Sequence, residues 1–464
     1  MAGSVTNRAL RILQVNAYDV AGGAEKVAFD LFRSYRARGR QSWLAVGFKR
    51  SAEADVLSLR PDAPPDAWGL FCLALNDLLE PLARRAPGVW RVRDFLRKAA
   101  FAQRQLNTAL GREHFYFPAT RRLLSLPPQR PDVLHCHNLH GGYFDLRELP
   151  RLSRQAPLVL TLHDAWLLSG HCAHSFDCER WQSGCGHCPD LTIYPALQRD
   201  ATAFNWRRKR GIYARSRLFI ATPSRWLMDK VERSMLAPGA AQMRIIPNGV
   251  DLATFHPADK LAARVALNIP PQAAVLLIAA NGIRQNQWKD YQTLRAAVAR
   301  VAAQMPGRAV LFLGLGDDAP PERMGEAEVR FVPFQSEAAT VARYYQAADV
   351  YVHAARADTF PNTVLEALAC GTPVVATAVG GIPEQIRSLP ESAEATGVLT
   401  PPGDAEALAT AVARLLSDSG LQTQLSRHAA ADARQRFDFE REVSDYLAWY
   451  DEILAHCQGR PCPQ

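Results

Sequence analysis

The chain has 464 residues, 48% of them hydrophobic and 22% charged, a length and balance that suit a folded protein of two domains and exclude a disordered or fibrous chain. No stretch is long and apolar enough to span a bilayer, and the opening MAGSVTNRALRILQVN lacks an apolar core with a cleavage site, so a cytoplasmic location is expected. The net charge of +8 favours polyanionic partners such as nucleoside diphosphates, acidic lipids or nucleic acid.

Ile12 to Val15 reads as a buried strand, followed by the turn Gly22-Gly23 and a helix from about Ala24. Glycines there let a backbone approach a ligand closely, although a plain strand-to-helix turn would look the same. Trp43 to Val46 is a second strand, and the Pro/Ala-rich stretch 61–67 a loop. Residues 68–104 join an apolar segment with Trp68 and Phe71 to a run of Arg84, Arg85, Arg91, Arg93, Arg97 and Lys98. Basic amphipathic helices with aromatics lie well on anionic membranes, and a helical pair with a solvated basic face is the alternative.

Val133 to Cys136 and Val159 to Leu162 are buried strands with polar residues at their carboxyl ends. After the first come His137 and His140, with Gly141-Gly142, a set that suits the acceptor side of a site. After the second comes the pair His163-Asp164. At a strand's carboxyl end His163 is placed to hydrogen-bond a ligand and Asp164 to orient the imidazole or a second ligand. A cysteine-rich loop, 171–189, follows. Cys172, Cys178, Cys185 and Cys188 include one C-x2-C knuckle, with His171, His174 and His187 interleaved. In a reducing compartment this crowding suits a structural zinc ion; disulfides or unligated thiols are the other readings.

Leu218 to Ala221 and Arg244 to Ile246 close the first block of strands. The second block has Val275 to Ala279, Val310 to Leu313, Val329 to Val332, Val350 to His353 and Val374 to Ala376, with helices between. Apolar strands alternating with helices predict parallel sheets covered on both faces, hence an α/β chain of two doubly wound, Rossmann-like domains. The expected division is 1–254, 255–437 and a last helix in 438–464 that packs back on the first domain.

Arg284 and Lys289 follow the first strand of the second block. A guanidinium and an ammonium there would stabilise a departing diphosphate. From Asp358 to Glu384 the chain reads DTFPNTVLEALACGTPVVATAVGGIPE: loop, helix start at Asn362 and Thr363, turn, strand and glycine loop. The helix N-terminus offers backbone N–H groups to a diphosphate, and Glu366, one turn in, can accept from two ribose hydroxyls. There is no Asp-x-Asp sequence, so a metal-chelating grip on the diphosphate has no evident ligands, and no catalytic cofactor is expected.

The Asp358-x7-Glu366 pair, with the turn Ala367 to Val374, resembles the signature of the retaining glycosyltransferases of family 4, the group 1 glycosyl transferases, in their bacterial exopolysaccharide and colanic-acid type. The resemblance implies the GT-B fold, with two domains facing across a cleft, and transfer of a hexose from an NDP-sugar to a saccharide, in places lipid-linked. It assigns Glu366 to the ribose, Asp358 to the donor sugar in place of the family's glutamate, Arg284-x4-Lys289 to the diphosphate, Gly22 and Gly23 to the donor phosphate, and His163 to the reacting sugar. Two alternatives stay open: a nucleotide-sugar epimerase of the same fold, and a catalytically silent sugar-nucleotide-binding protein. A nucleic-acid-binding module is disfavoured by the two spaced pairs.

Overall fold

The computed structural model describes residues 9–20, 22–59, 67–83, 86 and 88–458. The chain divides into two compact units. The first comprises residues 1–222, 228–244 and 449–464; the second comprises 223–227 and 245–448.

The first unit is built on strands β1 (Arg11–Tyr18), β2 (Gln41–Phe48), β3 (Val56–Ser58), β4 (Val133–Cys136), β5 (Leu158–Thr161), β6 (Leu218–Thr222) and β7 (Ala240–Ile245). They lie in the order β3-β2-β1-β4-β5-β6-β7. The β1 pairings are parallel, Val15 facing Ala45 of β2 and Cys136 of β4. These strands are almost wholly buried, as their continuous apolar runs require of a sheet covered on both faces.

The second unit repeats the plan with β8 (Ala274–Ala279), β9 (Val310–Leu315), β10 (Glu322–Met324), β11 (Ala327–Val332), β12 (Val350–His353), β13 (Val374–Thr377) and β14 (Gly397–Thr400). Their order is β10-β11-β9-β8-β12-β13-β14. Among the described residues, only the short β10–β11 hairpin of this sheet pairs antiparallel. One apolar layer sits on each face, one around Leu277, Tyr345, Val364 and Leu368, the other around Leu276, Leu294, Phe312 and Leu408. In both sheets the strand order reverses once, between β1 and β4 and between β8 and β12. Such a reversal opens a crevice at the carboxyl ends of the strands, where ligands bind in doubly wound folds.

The division between the units falls at Arg244, earlier than the expected residue 254. The reason is local. Val250 N–H donates to the Phe437 carbonyl at 2.7 Å, Phe439 N–H to Val250 at 3.1 Å, and Gly249 N–H to Glu442 at 2.6 Å. These bonds tie 248–250 into the second unit. The last helix, Phe439–Gln458, belongs to both units, changing over at Trp449. Its second half is anchored in the first unit by the Tyr450 hydroxyl, 2.7 Å from His135 Nδ1 and 3.2 Å from the Tyr35 hydroxyl.

Two further helices, Ala67–Leu78 and Val89–Ala100, form a hairpin sealed by Cys72, Leu96 and Ala100. Its outward positions are apolar: Trp68, Leu70, Phe71, Trp90 and Phe95 are all more than half exposed. Arg84 and Arg85, part of the expected basic run, lie outside the described residues. No helix among the described residues is long and apolar enough to cross a membrane.

Candidate functional site

The second unit's crevice holds a compact ionic cluster. After β8 the chain makes successive turns rather than a helix, and Lys289 bridges to Ala355, just past β12. This swings the Lys289 ammonium onto Asp358 Oδ2 at 2.6 Å and within 3.1 Å of His353 Nε2. His353, on β12, has its Nδ1 3.0 Å from the Tyr351 hydroxyl and its Nε2 3.2 Å from Asp358. Burial opposes the charged form of Asp358, but Lys289 and His353 outweigh it and hold the carboxyl well below the usual range. Burial, reinforced by the Lys289 charge, lowers the His353 pKa to about 4, so the imidazole is neutral at pH 7.

Beside this cluster the helix Asn362–Ala369 begins without a side-chain cap, its N-cap being Pro361. Its first N–H groups face the crevice end of the unit, in the polarity that suits an anion. Asn362 accepts from the Asn248 amide at 2.9 Å, and Thr363 is a partner of the Tyr351 hydroxyl. Glu366 is 8% exposed and accepts from the Tyr345 hydroxyl at 3.0 Å. The Gly380-Gly381 loop backs the cluster. Gly380 is left-handed at φ +59, and a Cβ there would lie 1.7 Å from the Asp358 carbonyl oxygen, so only glycine lets the two loops close.

The expected cationic pair is split. Arg284 lies on the β9 side of β8, its backbone N–H on Asp317 at 3.0 Å and its guanidinium 3.4 Å from the same carboxylate and stacked over Phe331. Lys289 has crossed to the β12 side. Five residues of turn are enough to straddle the switch point, and each cation takes the carboxylate on its own side. His353 was missed in the sequence; the signal was a lone histidine closing the apolar run Val350 to His353.

The first unit's crevice gathers a second titratable group. His137 Nε2 donates to Gln14 Oε1 at 2.9 Å, which leaves Nδ1 to accept from His163 Nε2 at 3.0 Å. Burial pushes the His163 pKa down to about 4 and that of His137 well below its ordinary value. His140 behaves oppositely. Burial opposes its charge, but Asp164, 2.7 Å from Nε2, and Glu25 more than offset this and raise its pKa. Asp164 also accepts from Trp166 N–H at 2.8 Å, and the Tyr194 hydroxyl lies 3.3 Å from His140 Nδ1. Glu25, half-buried in the first turn of the helix Gly23–Ala37, has its pKa raised by burial.

Gly22 and Gly23 open the helix after β1. Gly22 is an N-cap in an extended conformation at φ −156, open to any residue, and its bare Cα instead makes room for the Glu25 carboxylate. His135, one of three histidines crowded at the end of β4, is turned away from the crevice and holds Thr161 at 2.7 Å and Tyr450.

The four loop cysteines, Cys172, Cys178, Cys185 and Cys188, line one small cavity of about 20 Å3 with His171, whose Nε2 is 3.4 Å from Cys188 Sγ. All four are free thiols. Burial pushes Cys172 up to about 11 and Cys185 up to about 12. Among the described residues, no group of three or more His, Cys, Asp or Glu side chains is arranged as a ligand set for a metal ion. The crowding of the four cysteines in the sequence thus anticipated that their thiols converge on one cavity.

A family profile described as Glycosyltransferase Family 4 matches residues 21–254, half of the chain, and one described as Glycosyl transferases group 1 matches residues 274–418. The chain belongs to this glycosyltransferase family. A D-inositol 3-phosphate glycosyltransferase of Saccharomonospora viridis is 35% identical over 238 residues, covering 48% of this chain and 52% of the relative, so the chain spans about half the length of that relative. The putative colanic acid biosynthesis glycosyl transferase WcaC of Escherichia coli is 26% identical over 391 residues, 79% of this chain and 83% of WcaC. Among solved structures, Anabaena HepE in complex with UDP superposes with a TM-score of 0.58 at 17% identity, over 96% of this chain and 100% of HepE, a likeness of fold. Two parallel-sheet, Rossmann-like units are thus the GT-B architecture of this glycosyltransferase family. The group 1 match contains the whole Lys289–His353–Asp358 cluster and Glu366; the family 4 match contains the His137–His163 and His140–Asp164 pairs.

Proposed function

We propose that the chain is a retaining glycosyltransferase that moves a hexose from an NDP-sugar to a hydroxyl of a saccharide acceptor in polysaccharide or surface-glycan synthesis. The observation that carries this reading is the placement of Lys289, Asp358, the uncapped helix start at Asn362 and the buried Glu366 together at the β8/β12 crevice. Glu366 takes the ribose hydroxyls. The N–H groups of Asn362 and Thr363, with Lys289 and Arg284, take the diphosphate. Lys289 is released to the leaving group only if Asp358 turns to a sugar hydroxyl, so the 2.6 Å ion pair keeps the ammonium oriented until donor arrives.

In the transfer the bond from the sugar C1 to the diphosphate oxygen breaks and a bond from C1 to the acceptor oxygen forms. The acceptor proton passes to the departing phosphate, and the accumulating negative charge is met by fixed cations and backbone dipoles. On the first unit, His163 holds a donor hydroxyl and His137, His140 and Asp164 face the acceptor. The chain works in the cytoplasm, against the inner face of the cytoplasmic membrane through the apolar and basic hairpin 68–104. HepE, which binds UDP, and WcaC, named for colanic acid, support the donor class and the pathway class.

The test is a donor screen that measures NDP release with and without saccharide acceptors and the anomeric configuration of the product. Acceptor-dependent release with the donor's configuration kept is the expected result. Donor consumed alone with its sugar altered identifies an epimerase. Binding without turnover identifies a silent binder.

A further inference from the structure

Next to the His140–Asp164 pair the first unit contains a cavity of about 200 Å3, with His140 itself in its lining. Phe117, Leu139 and Phe144 form its apolar wall, and Arg104 and Arg112 stand at its mouth. Both arginines are exposed, and neither makes an ion pair among the described residues. The Arg112 guanidinium lies over the Phe204 ring at 4.6 Å, which fixes its plane. One carboxylate, Glu113, lines the cavity, and it is held by the fully buried Lys209 at 3.0 Å and by Trp166 Nε1 at 2.6 Å, so it does not neutralise the arginines. The left-handed pair Gly141-Gly142 also lines the cavity, with Arg104 Nη2 3.7 Å from where a Gly142 Cβ would stand.

Arg104 also lines a second, more open cavity of about 440 Å3 with Phe101 and Gln105. Phe101 packs against the hydrophobic seam of the 67–100 hairpin. A polar recess beginning at His140 therefore passes two guanidiniums without ion-pair partners among the described residues and reaches Phe101, which packs on the helical hairpin.

We propose that this recess binds a phosphoryl group carried by the acceptor, gripped by Arg104 and Arg112. The proposal rests on the glycosyltransferase reading above, since it names the acceptor's chemistry. Two guanidinium forks match phosphate oxygens in geometry and charge. The phosphoryl group belongs either to a soluble sugar phosphate or to a lipid phosphate headgroup whose chain lies on Trp68, Phe71 and Trp90.

The test uses the full chain with its donor site saturated by UDP, so that an added phosphate cannot occupy that site. Glucose 1-phosphate and dodecyl phosphate are titrated by calorimetry against wild type, Arg104→Gln and Arg112→Gln. Both arginines are at the surface, so the variants should fold; circular dichroism checks this. The expected result is binding to wild type that weakens about tenfold in each variant and falls with salt, with UDP affinity unchanged. Stronger binding of dodecyl phosphate, lost in Phe71→Ser, identifies the lipid source; equal binding of both probes identifies the soluble one. No binding to UDP-saturated wild type, equal affinity in the variants, or glucuronate competing as well as glucose 1-phosphate would overturn the assignment. If none of UDP, GDP and ADP binds, the donor reading fails, and the same titrations without a nucleotide still decide the recess.

Discussion

The two crevices place charged side chains at equivalent points of equivalent sheets and yet answer protons in opposite ways. In the second unit the key histidine, His353, is buried beside a lysine and held neutral. In the first, His140 lies beside two carboxylates, Asp164 and Glu25, which raise its pKa against the cost of burial. The crevice ends of the two sheets thus hold an ammonium–carboxylate pair in one unit and a histidine–carboxylate pair in the other. The difference teaches that the sheet supplies location, and the nearest partner decides charge. An anion-handling site needs a permanent cation; a site for neutral hydroxyls can use groups that donate and accept.

The largest effect should come from removing the permanent cation. Lys289→Ala should lower transfer by roughly a hundredfold to a thousandfold, the usual cost of deleting one electrostatic stabiliser. It should also destabilise the second unit, because Asp358 would be left without its ion-pair partner. Lys289→Arg should recover part of the rate. Initial rates and thermal melts check both, and a fully active alanine variant would remove the cluster from the chemistry.

Gly380→Ala comes next. The left-handed φ and the 1.7 Å approach to Asp358 force either loop to move, at a cost of about 1–3 kcal/mol, read as a lower melting temperature with a matching loss of donor affinity. An alanine variant with wild-type stability would mean that the loops are not locked together.

The pH dependence sharpens the comparison directly. His353 has a folded pKa of about 4, below its unfolded value, so the unfolded chain binds the extra proton first. Stability should fall as pH drops from about 6.5 to 4, by up to roughly 3 kcal/mol for a buried imidazole, and His353→Gln should flatten that limb. His140 has a raised folded pKa. Its contribution should be complete below the unfolded value near 6.5 and lost as pH rises through the folded one, and His140→Asn should remove that alkaline-side loss. Denaturant melts across pH 4 to 9 check both signs.

Smaller again is Glu366→Ala. It should weaken nucleotide binding about tenfold, the scale of two hydrogen bonds to a carboxylate, with little change in fold. Unchanged UDP affinity would take the ribose away from Glu366.

The mildest prediction concerns the thiols. With Cys172 at about 11 and Cys185 at about 12, alkylation by iodoacetamide at pH 7.5 should be slow and should accelerate toward those values. Metal analysis on the same sample separates protonated thiols from a cluster closed on zinc, which would carry about one ion per chain.

Much of this was legible in one dimension. Continuous apolar runs such as Val350 to His353 and Val374 to Ala376 can only be buried strands when turns and helices flank them, so both sheets and their parallel sense were readable. The edge strands β3, β10 and β14 were not, because they are only partly buried and carry no continuous apolar run to mark them. Within one motif, spacing along a helix also fixes geometry, which is why Glu366 lies one turn inside the helix start, as read.

What the tertiary structure alone decided is pairing. Lys289 meets Asp358 and not Arg284, because the chain crosses the switch point between β8 and β12 within a single turn. His140 meets Asp164 and His137 meets His163, because β4 and β5 are neighbours. The thiols share a cavity without forming a ligand set. Electrostatic partners are chosen by distances of a few ångströms across strands far apart in sequence, and no local pattern encodes them, whereas burial and periodicity act residue by residue along the chain and leave their mark there.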